Sequence, residues 1–425
     1  MRLASHLALA CAGLCLTAVT VGAAPRVVRG RVHTAAGATI DRGAVVFEGA
    51  QITWVGPFAE LQLPEGAEVL DLADVELTPG LIDAAVPAGD GSVEDSSEVV
   101  PHLKLADALS LSGAVWQRLA QAGVTTVYVT SNPASVVGSQ GTLVGTGKQP
   151  ELLPHRGDVK LTLSNEAWRR GRSNGRPFRD VARLTARRPN TRMGLIWVLR
   201  EALLNAQRGV DDPASKALAA TLAGAHGLRV HARQRHDLET ALRLADEFGI
   251  RRLVFEEATE AYHAIDLLRG HDVVVIYGPM FMEPLGSRAR TGEAEHPCLR
   301  TPLMLHEAQI PFCLTAADRL NEGLAEQAMW AMRYGLPFEA ALQAVTASPA
   351  QLLGIAERTG TLQVGKRADL VVWSGRPFAS TSKPLLVLRD GRAVYRDAEH
   401  VENAAWDEAS PGGAAQPPKK PQRNF

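Results

Sequence analysis

Hydrophobic and polar residues alternate along the first part of the chain, in short runs that glycines interrupt. Residues 27–32, 43–49 and 51–56 carry this pattern, which is typical of β-strands with one buried face. After Pro79 the pattern changes to apolar, strand-like runs that alternate with segments of helical periodicity. The run 273–277 is apolar throughout, as expected of a strand buried on both faces.

Alternation of strands with helices predicts a parallel sheet, and its length favours a closed (β/α)8 barrel of the TIM type. Strands of this region are predicted at 124–129, 230–232, 253–255, 273–277 and 312–315. Near the end of the chain the strand pattern of the first segment returns, at 368–373, 385–388 and 393–395. We therefore expect an α/β protein with a barrel and a small β-sandwich domain built from both chain ends.

These patterns divide the chain into five segments. We expect residues 1–23 to be a signal peptide, 24–79 the N-terminal part of the sandwich, 80–356 the barrel, 357–396 the C-terminal part of the sandwich, and 397–425 a disordered tail. The tail prediction depends on composition, because Pro, Gly, Ala and Lys predominate there and cannot build a packed core.

The first residues have the pattern of a secretory signal peptide. Arg2 precedes an apolar run over 7–21, which ends in the small residues Val21-Gly22-Ala23. The run is too short for a stable membrane span, so an N-terminal anchor is the less favoured alternative. No other apolar run is long enough to span a bilayer. We therefore expect a periplasmic or secreted protein with no membrane span in the mature chain.

Charge and cysteine content narrow the choice of partners. The formal net charge of the 425 residues is −1 and the basic residues are scattered, which argues against nucleic acid or an anionic membrane as a partner. A small-molecule ligand remains open. Cys298 and Cys313 stay after cleavage of the signal and could pair in an oxidising compartment. The apolar run around Cys313 favours a buried free thiol instead.

Several stretches carry a resemblance to a known family. They are Leu-Thr-Pro-Gly-Leu-Ile-Asp at 77–83, Ala-Gly-Val-Thr-Thr-Val at 122–127, Gly-Ser-Gln-Gly at 138–141, and the segments 365–373 and 390–395. In this order they resemble the imidazolonepropionase-like branch of the amidohydrolase superfamily, over about residues 27–396. The resemblance implies a TIM-like barrel that hydrolyses amide or cyclic amide bonds, or deaminates. One or two divalent metals assist by lowering the pKa of a bound water.

The resemblance also implies where the metal ligands belong, and two of them are missing from the first barrel strand. The family's His-x-His pair falls on Ala85 and Pro87, which cannot coordinate metal. Residues two apart on a strand point the same way, which is why such a pair serves one ion. On the fifth strand, Val-His-Ala-Arg at 230–233 resembles the family's Val-His-Ala-His, so His231 keeps the ligand type.

The remaining positions are altered as well. The family's sixth-strand histidine falls on Glu257, and its eighth-strand aspartate falls on Ala317, with Asp318 one residue late. A bridging lysine or glutamate on a middle strand has no clear match, and Lys148 is the candidate. A catalytic zinc site normally has three protein ligands. We therefore expect no bound metal cofactor, with zinc only if hydrolytic activity persists.

Two functions follow from this mixture of intact fold motifs and substituted ligands. The first is an exported amidohydrolase-family protein that lacks its metal site and acts by binding, or as the partner of an active relative. The second is a hydrolase of carbon–nitrogen bonds, in non-peptide or cyclic amides, with a reduced site. Its catalytic acid and base groups would be Glu257, His231 and Asp318, and His236 and Gln140 would bind substrate.

Two further alternatives concern assembly. A purely structural subunit is the third function that the sequence leaves open. Relatives of this fold often associate, so the resemblance also implies a homo-oligomer, or a hetero-oligomer with an active homologue.

Overall fold

The computed structural model describes residues 24–72, 74–88, 94, 97–168, 188–280, 298–317 and 323–401. The predicted signal peptide, residues 402–425 of the predicted tail, and Asp318 lie outside these residues. Within the described part, no helix combines the length and the apolar character that a bilayer crossing requires.

Eighteen strands and nine α-helices make up the described chain. The strands are β1 (Arg26–Val32), β2 (Ile40–Glu48), β3 (Gln51–Pro57), β4 (Glu68–Leu70), β5 (Glu76–Pro79), β6 (Leu81–Pro87), β7 (Val124–Thr130), β8 (Val137–Gln140), β9 (Thr142–Gly145), β10 (Glu151–Leu153), β11 (Val159–Thr162), β12 (Leu228–Ala232), β13 (Leu253–Glu257), β14 (Val273–Tyr277), β15 (Phe312–Leu314), β16 (Leu370–Trp373), β17 (Pro384–Arg389) and β18 (Arg392–Arg396). The helices are Val115–Gln121, Arg192–Arg208, Pro213–Leu222, Arg235–Phe248, Ile265–Arg269, Thr301–Glu307, Gly323–Arg333, Phe338–Ala344 and Ala347–Leu352. Short 3-10 helices lie at Phe58–Glu60, Leu105–Asp107, Asn165–Ala167 and Ala261–His263.

Strands from both ends of the described chain form one eight-stranded sheet. Its order is β18-β17-β16-β5-β1-β2-β3, and β4 pairs with β1. The antiparallel pairing of β16 with β5 places Leu370 opposite Pro79 and joins the two ends of the chain. Because this pairing continues the ladder, strands from both chain ends belong to one continuous sheet. Phe47 and Leu386, from opposite ends of the chain, belong to the same hydrophobic core.

Two further sheets contain the strands predicted for the barrel. β6 and β7 pair in parallel within the order β10-β9-β7-β6, and β11 to β15 pair in parallel within the order β15-β14-β13-β12-β11-β8. The expected closed ladder of eight parallel strands is therefore found only in part. Among the described residues, antiparallel strands β8, β9 and β10 stand beside the parallel ones, and no ladder joins β15 to β6.

Asp83 accepts a side-chain and a backbone hydrogen bond across this open edge. The Thr315 hydroxyl, just after β15, donates to Asp83 Oδ1 in β6 at 2.6 Å, and the Ala316 N–H donates to Asp83 Oδ2 at 3.0 Å. Burial raises the pKa of Asp83, and these hydrogen bonds act in the opposite direction. The last parallel strand thus lies beside the first, which brings their carboxyl ends to one place.

The helix Arg235–Phe248 shows how the sequence determines a helix that connects two parallel strands. Leu238, Ala241, Leu242 and Ala245 are buried on one face, as their spacing predicts. The helix ends at Gly249, whose φ of +69° is a left-handed conformation that suits glycine. It connects β12 to β13, the strands that carry Arg229, Glu256 and Glu257.

Both remaining cysteines are free thiols. Cys313 lies in β15 and is fully buried, whereas Cys298 is partly exposed. Burial raises the pKa of the Cys313 thiol, so it stays protonated at neutral pH. The prediction of a buried free thiol at Cys313 is confirmed.

Candidate functional site

A cavity of about 310 Å³ opens where the carboxyl ends of the parallel strands meet. Active sites of barrel enzymes lie at this end of the strands, because the loops that follow each strand converge there. The lining residues are Ala85, Pro87, Ala88, Thr130, Asn132, Pro133, Lys160, Glu166, His231, Arg233, Glu256, Glu257, Thr315 and Ala317.

All five positions that the family resemblance assigns to metal ligands line this cavity. Ala85 and Pro87 come from β6, His231 from β12 and Glu257 from β13, and Ala317 follows β15. Positions that the resemblance assigns on different strands therefore meet at one cavity. Of these five side chains, His231 and Glu257 alone carry atoms that could bind a metal ion.

His231 is almost fully buried, with 2% of its surface exposed. Its Nδ1 lies 2.7 Å from the Ser164 hydroxyl oxygen, which fixes the orientation of the ring. The other ring nitrogen, Nε2, lies 3.1 Å from Glu257 Oε1, without the alignment of a hydrogen bond. Among the described residues, Nε2 has no hydrogen-bond partner. Because Ser164 holds the Nδ1 edge, the Nε2 edge is the one that faces Glu257 and the cavity.

Glu257 is the last residue of β13 and has a strained backbone conformation. Its φ is +65°, and that of the next residue, Ala258, is +44°. Ala317, on the opposite side of the cavity, has a φ of +37°. A positive φ costs residues other than glycine about 1–3 kcal/mol, and such strain is found chiefly at functional sites. Two strained lining residues, Glu257 and Ala317, therefore indicate a functional site.

Arg233 places a positive charge between two carboxylates of the cavity. Its Nε donates to Glu257 Oε2 at 2.5 Å, and its Nη1 donates to Glu166 Oε1. Its side chain is only 6% exposed, so these ion pairs are shielded from water. Burial by itself would raise the pKa of Glu166, but the charge of Arg233, and then that of His231, hold this pKa below its ordinary value.

The Asp237 carboxylate fixes the segment that carries Arg233. Oδ2 accepts hydrogen bonds from the backbone N–H groups of Gln234 and Arg233, at 3.2 Å and 3.4 Å. Asp237 lies in the first turn of the helix Arg235–Phe248, where an acidic side chain satisfies backbone N–H groups that have no partner within the helix. The helix start thus holds the backbone of Arg233 beside the cavity.

A chain of alternating charges lies at the base of the cavity. Lys160 Nζ lies 2.6 Å from Glu256 Oε2, and Arg229 donates to Glu256 Oε1 at 3.1 Å and to Asp158 Oδ2 at 2.9 Å. Arg229 is fully buried, and its guanidinium carbon lies 3.9 Å from the centre of the Tyr128 ring. Two positive and two negative charges therefore cancel within a part of the protein that excludes water.

These ion pairs keep the buried acids ionised. Burial would raise the pKa of Glu256, but Lys160 and then Arg229 outweigh it and lower the pKa. Burial would likewise raise the pKa of Asp158, and the charge and hydrogen bond of Arg229 lower it below the usual range.

The sequence pattern did not assign several of these charged residues to the site. Lys160 and Arg229 lie between apolar neighbours within strands β11 and β12. A charged residue in an otherwise apolar strand was the sequence feature that could have identified them. Lys148, the lysine that was proposed to bridge metals, is exposed and does not line the cavity. The lysine of the cavity is Lys160. Glu166 lies in a 3-10 helix that no motif marks.

Two of the predicted site residues meet, and two other described ones do not. Glu257 and His231 lie side by side in the cavity. His236 is half exposed on the helix that follows, and Gln140 donates to the Pro101 carbonyl at 2.9 Å; neither lines the cavity. Asp318 lies outside the described residues.

The described donors of this cavity do not by themselves fit the divalent metal that the fold implies. Zinc requires about three protein ligands. His231 supplies one nitrogen, but Glu257 and Glu166 already accept hydrogen bonds from Arg233. A dication next to a buried guanidinium would also be repelled.

A compact group of metal-binding side chains lies elsewhere. Asp397, Glu399 and His400 are the one described set of three acidic or histidine side chains whose donor atoms lie within 4.8 Å of one another. They follow β18, and none of them lines the cavity. Partly exposed groups of this kind are common at protein surfaces without a bound ion.

Comparison with known proteins gives a consistent family. A model of the family described as "Amidohydrolase family" matches residues 316–395. The chain is 27% identical over 399 residues to an imidazolonepropionase of Pseudomonas aeruginosa (strain UCBPP-PA14), which covers 84% of this chain and 95% of that protein. It is 25% identical over 402 residues to amidohydrolase tasK of Hapsidospora irregularis, and the matched region is 84% of this chain. The chain spans only 40% of the length of tasK.

Solved structures show the same relationship. An amidohydrolase from Thermotoga maritima MSB8 superposes with a TM-score of 0.76 at 26% identity, over 88% of this chain and 100% of that one. A prolidase complexed with N-methylphosphonate-L-proline gives a TM-score of 0.55 at 18% identity and supports the fold alone. The fold of these neighbours is a TIM-like barrel with an additional domain, which agrees with the sheets described above.

Proposed function

The chain belongs to the imidazolonepropionase-like branch of the amidohydrolase superfamily, and from this premise we propose that it is an exported, ligand-binding member that works without the catalytic metal. The family supports a hydrolase-type origin for the cavity. The contents of the cavity support the loss of metal-dependent chemistry.

The position of Arg233 carries this proposal. Its guanidinium pairs with Glu257 and Glu166 in a cavity that all five family ligand positions line. A fixed guanidinium supplies the positive charge that a metal would supply, but it has no open coordination position for water or a substrate carbonyl. The cavity therefore retains shape and charge for binding, and lacks the means to activate water through a metal.

Export and partnership are further parts of the proposal. The N-terminal pattern of Arg2, an apolar run and small residues supports cleavage of a signal and delivery to the periplasm or medium. N-terminal sequencing of the protein from the periplasmic fraction would test it, with a start near residue 24 expected. Association with an active relative, or with itself, stays a prediction that size-exclusion chromatography with light scattering would test.

Metal analysis tests the central claim directly. The protein is purified without chelators, and its zinc, manganese and iron contents are measured by mass spectrometry. The His400→Ala variant is measured in parallel, because it removes one donor from the surface group of Asp397, Glu399 and His400. We expect far less than one metal ion per His400→Ala chain. One zinc per chain in this variant would contradict the proposal.

A metal-independent hydrolase is the second candidate, and the position of the strained residue Glu257 beside His231 favours it. A buried carboxylate 3.1 Å from an imidazole can act as a general base with the ring as its neighbour. General acid–base groups contribute about 10²–10⁴-fold to a rate. The expected turnover of carbon–nitrogen bonds is therefore slow in comparison with that of a metal-assisted relative.

Substrate panels separate the two candidates. Lactams, hydantoins and dipeptides are incubated with the wild-type protein and with Glu257→Gln. Glu239→Gln serves as the control, because Glu239 is an exposed acid on the helix Arg235–Phe248. Turnover that Glu257→Gln abolishes and Glu239→Gln retains would establish the hydrolase. No turnover on any compound would leave binding as the function.

A further inference from the structure

The helix Arg192–Arg208 carries exposed apolar side chains on its outward face. Six buried apolar residues on its inner face belong to a large hydrophobic core. Met193, Trp197 and Leu204, spaced by four and seven residues, form an outer stripe on the opposite face and are 82%, 53% and 38% exposed. A helix at a protein surface normally has polar residues on its outward face, whereas a helix that is apolar on both faces is normally buried. The outer stripe therefore indicates a partner that covers it.

Trp197 has the properties of an interface anchor. Apolar side chains that cluster at a surface mark interaction sites more often than scattered ones do, and tryptophan is among the residues that contribute most to binding. The guanidinium carbon of Arg188 lies 5.1 Å from the centre of the Trp197 ring. Because this contact restricts the ring before any partner binds, little conformational entropy is lost on association.

The charges beside the outer stripe decide which kind of partner fits. Arg200 and Glu201 flank its middle. Arg200 pairs with Glu247 at 2.8 Å, and Glu201 pairs with Arg188 at 3.6 Å, so these charges cancel. A nucleic acid or an anionic membrane would require an excess of positive charge at the surface. A two-fold contact instead places the same surface on both sides, so a patch whose charges cancel meets its own copy without repulsion.

We propose that the outer stripe binds the same stripe of a second copy of this chain, with the two helices antiparallel. Arg208, the last residue of the helix, decides the direction. A parallel pair would bring two Arg208 side chains together, whereas an antiparallel pair separates them by about 25 Å, the length of the 17-residue helix. Met193 then lies against Leu204 of the second copy, with Trp197 beside the two-fold axis. This inference rests on the self-association proposed above and names its surface.

Sedimentation equilibrium of the purified protein measures the association. The outer stripe is about 17 Å long, which is short for a stable interface, so we expect a dimer with a dissociation constant in the micromolar range. Trp197→Glu should weaken the dimer at least about thirty-fold, and Met193→Glu, at the most exposed position, serves should that variant fail to fold. Val364→Glu is the control, because Val364 is 64% exposed and lies outside this helix.

Three results would overturn the inference. The first is a wild-type protein that stays monomeric at hundreds of micromolar. The second is a dimer that Val364→Glu weakens as much as Trp197→Glu does. The third is binding of the monomer to phosphatidylglycerol vesicles, which would identify a membrane as the partner.

Disulfide cross-linking tests the direction of the two helices. The double variant Met193→Cys/Leu204→Cys should form a covalent dimer under mild oxidation, because each new thiol lies opposite the other kind. Within one chain the two positions are about 17 Å apart, which is too far for a disulfide. Each single variant should form no more covalent dimer than the wild-type protein, in which Cys298 is the partly exposed thiol. A covalent dimer of a single variant would show a parallel pair and overturn this arrangement.

Measuring metal in the same samples separates this inference from the proposed function of the cavity. A protein that holds zinc in the cavity contradicts the metal-independent function and leaves the dimer contact unaffected. A metal-free protein whose dimer persists in both stripe variants leaves that function and the self-association intact, and overturns the outer stripe as the surface.

Discussion

Arg233 is the single residue on which the character of the cavity depends most. The family resemblance places it where a second histidine of the fifth strand stands, and the structure places its guanidinium between Glu257 and Glu166. A lysine could not do the same, because one ammonium cannot make the forked contacts by which a guanidinium spans two carboxylates. The substitution at this position therefore changes the chemistry of both acids.

Replacing Arg233 with alanine should destabilise the protein markedly. Glu257 and Glu166 would lose their partner while still buried, and such a loss typically costs about 3–5 kcal/mol. Thermal unfolding monitored by circular dichroism measures the effect. Arg200→Ala is the control, because Arg200 forms an exposed pair with Glu247 whose loss costs about 0–1 kcal/mol. Equal shifts in the two variants would show that the Arg233 pairs do not stabilise the fold.

At the scale of strands and turns, contacts between chain ends hold the large sheet together. The turn between β17 and β18 contains Gly391, whose φ is +71°, and a Cβ atom at this position would lie 1.9 Å from the Gly49 carbonyl oxygen. Gly49 lies between β2 and β3. A C-terminal turn thus lies directly against an N-terminal turn, and only glycine allows this approach.

Gly391→Ala should therefore be much more damaging than an alanine at a comparable open turn. Gly66 has a nearly identical φ of +73° and no atom within 4 Å of its added Cβ, so Gly66→Ala measures the cost of the backbone conformation alone. That cost is about 1–2 kcal/mol. The overlap with Gly49 should add to it, and the difference between the two unfolding midpoints gives the contribution of the turn contact. Similar midpoints would show that the two turns separate easily.

For the molecule as a whole, buried ion pairs should make the free energy of unfolding depend on pH. Glu256, Asp158 and Glu166 have pKa values below their ordinary ones, so the unfolded chain binds protons at these sites more readily than the folded chain. Asp83 has the opposite effect, because burial raises its pKa. The folded protein therefore protonates Asp83 at a higher pH than the unfolded chain does. Three groups favour the ionised folded state and one opposes them.

The thermal midpoint should therefore change little at neutral pH and fall as the pH drops below the ordinary values of 4.5 for glutamate and 3.8 for aspartate. Stability from the three carboxylates is fully present above these values and is lost as the pH approaches their lowered pKa values. Differential scanning calorimetry from pH 7 to acid measures the trend. A midpoint that rises on acidification would show that Asp83 dominates.

Several of the parallel strands, among them β7, β13 and β14, could be predicted from the sequence, whereas β11 was not. Local periodicity gives these strands, and the flanking motifs identify 77–83 and 365–373 because these short stretches keep their order along the chain. The ligand positions Ala85, His231 and Glu257, which the resemblance assigns, lie together at one cavity, since each is fixed by its own strand.

The ion pairs within the site could not be predicted in this way. Arg233 and Glu166 are 67 residues apart, and Lys160 and Glu256 come from different strands. No local pattern records which of several buried charges will face one another. Sheet pairing decides it, as β11 beside β12 and β12 beside β13 set the register of these side chains.

The sequence by itself thus determined the type of many elements, the family resemblance, and the absence of histidines from the first strand. Only the tertiary structure decided which charged side chains meet at the cavity. It brings a guanidinium to the two carboxylates and leaves His231 Nε2 facing Glu257 across the cavity. The physical reason is range: backbone propensity acts over a few residues, whereas electrostatics inside a folded protein depends on groups that chain folding brings together.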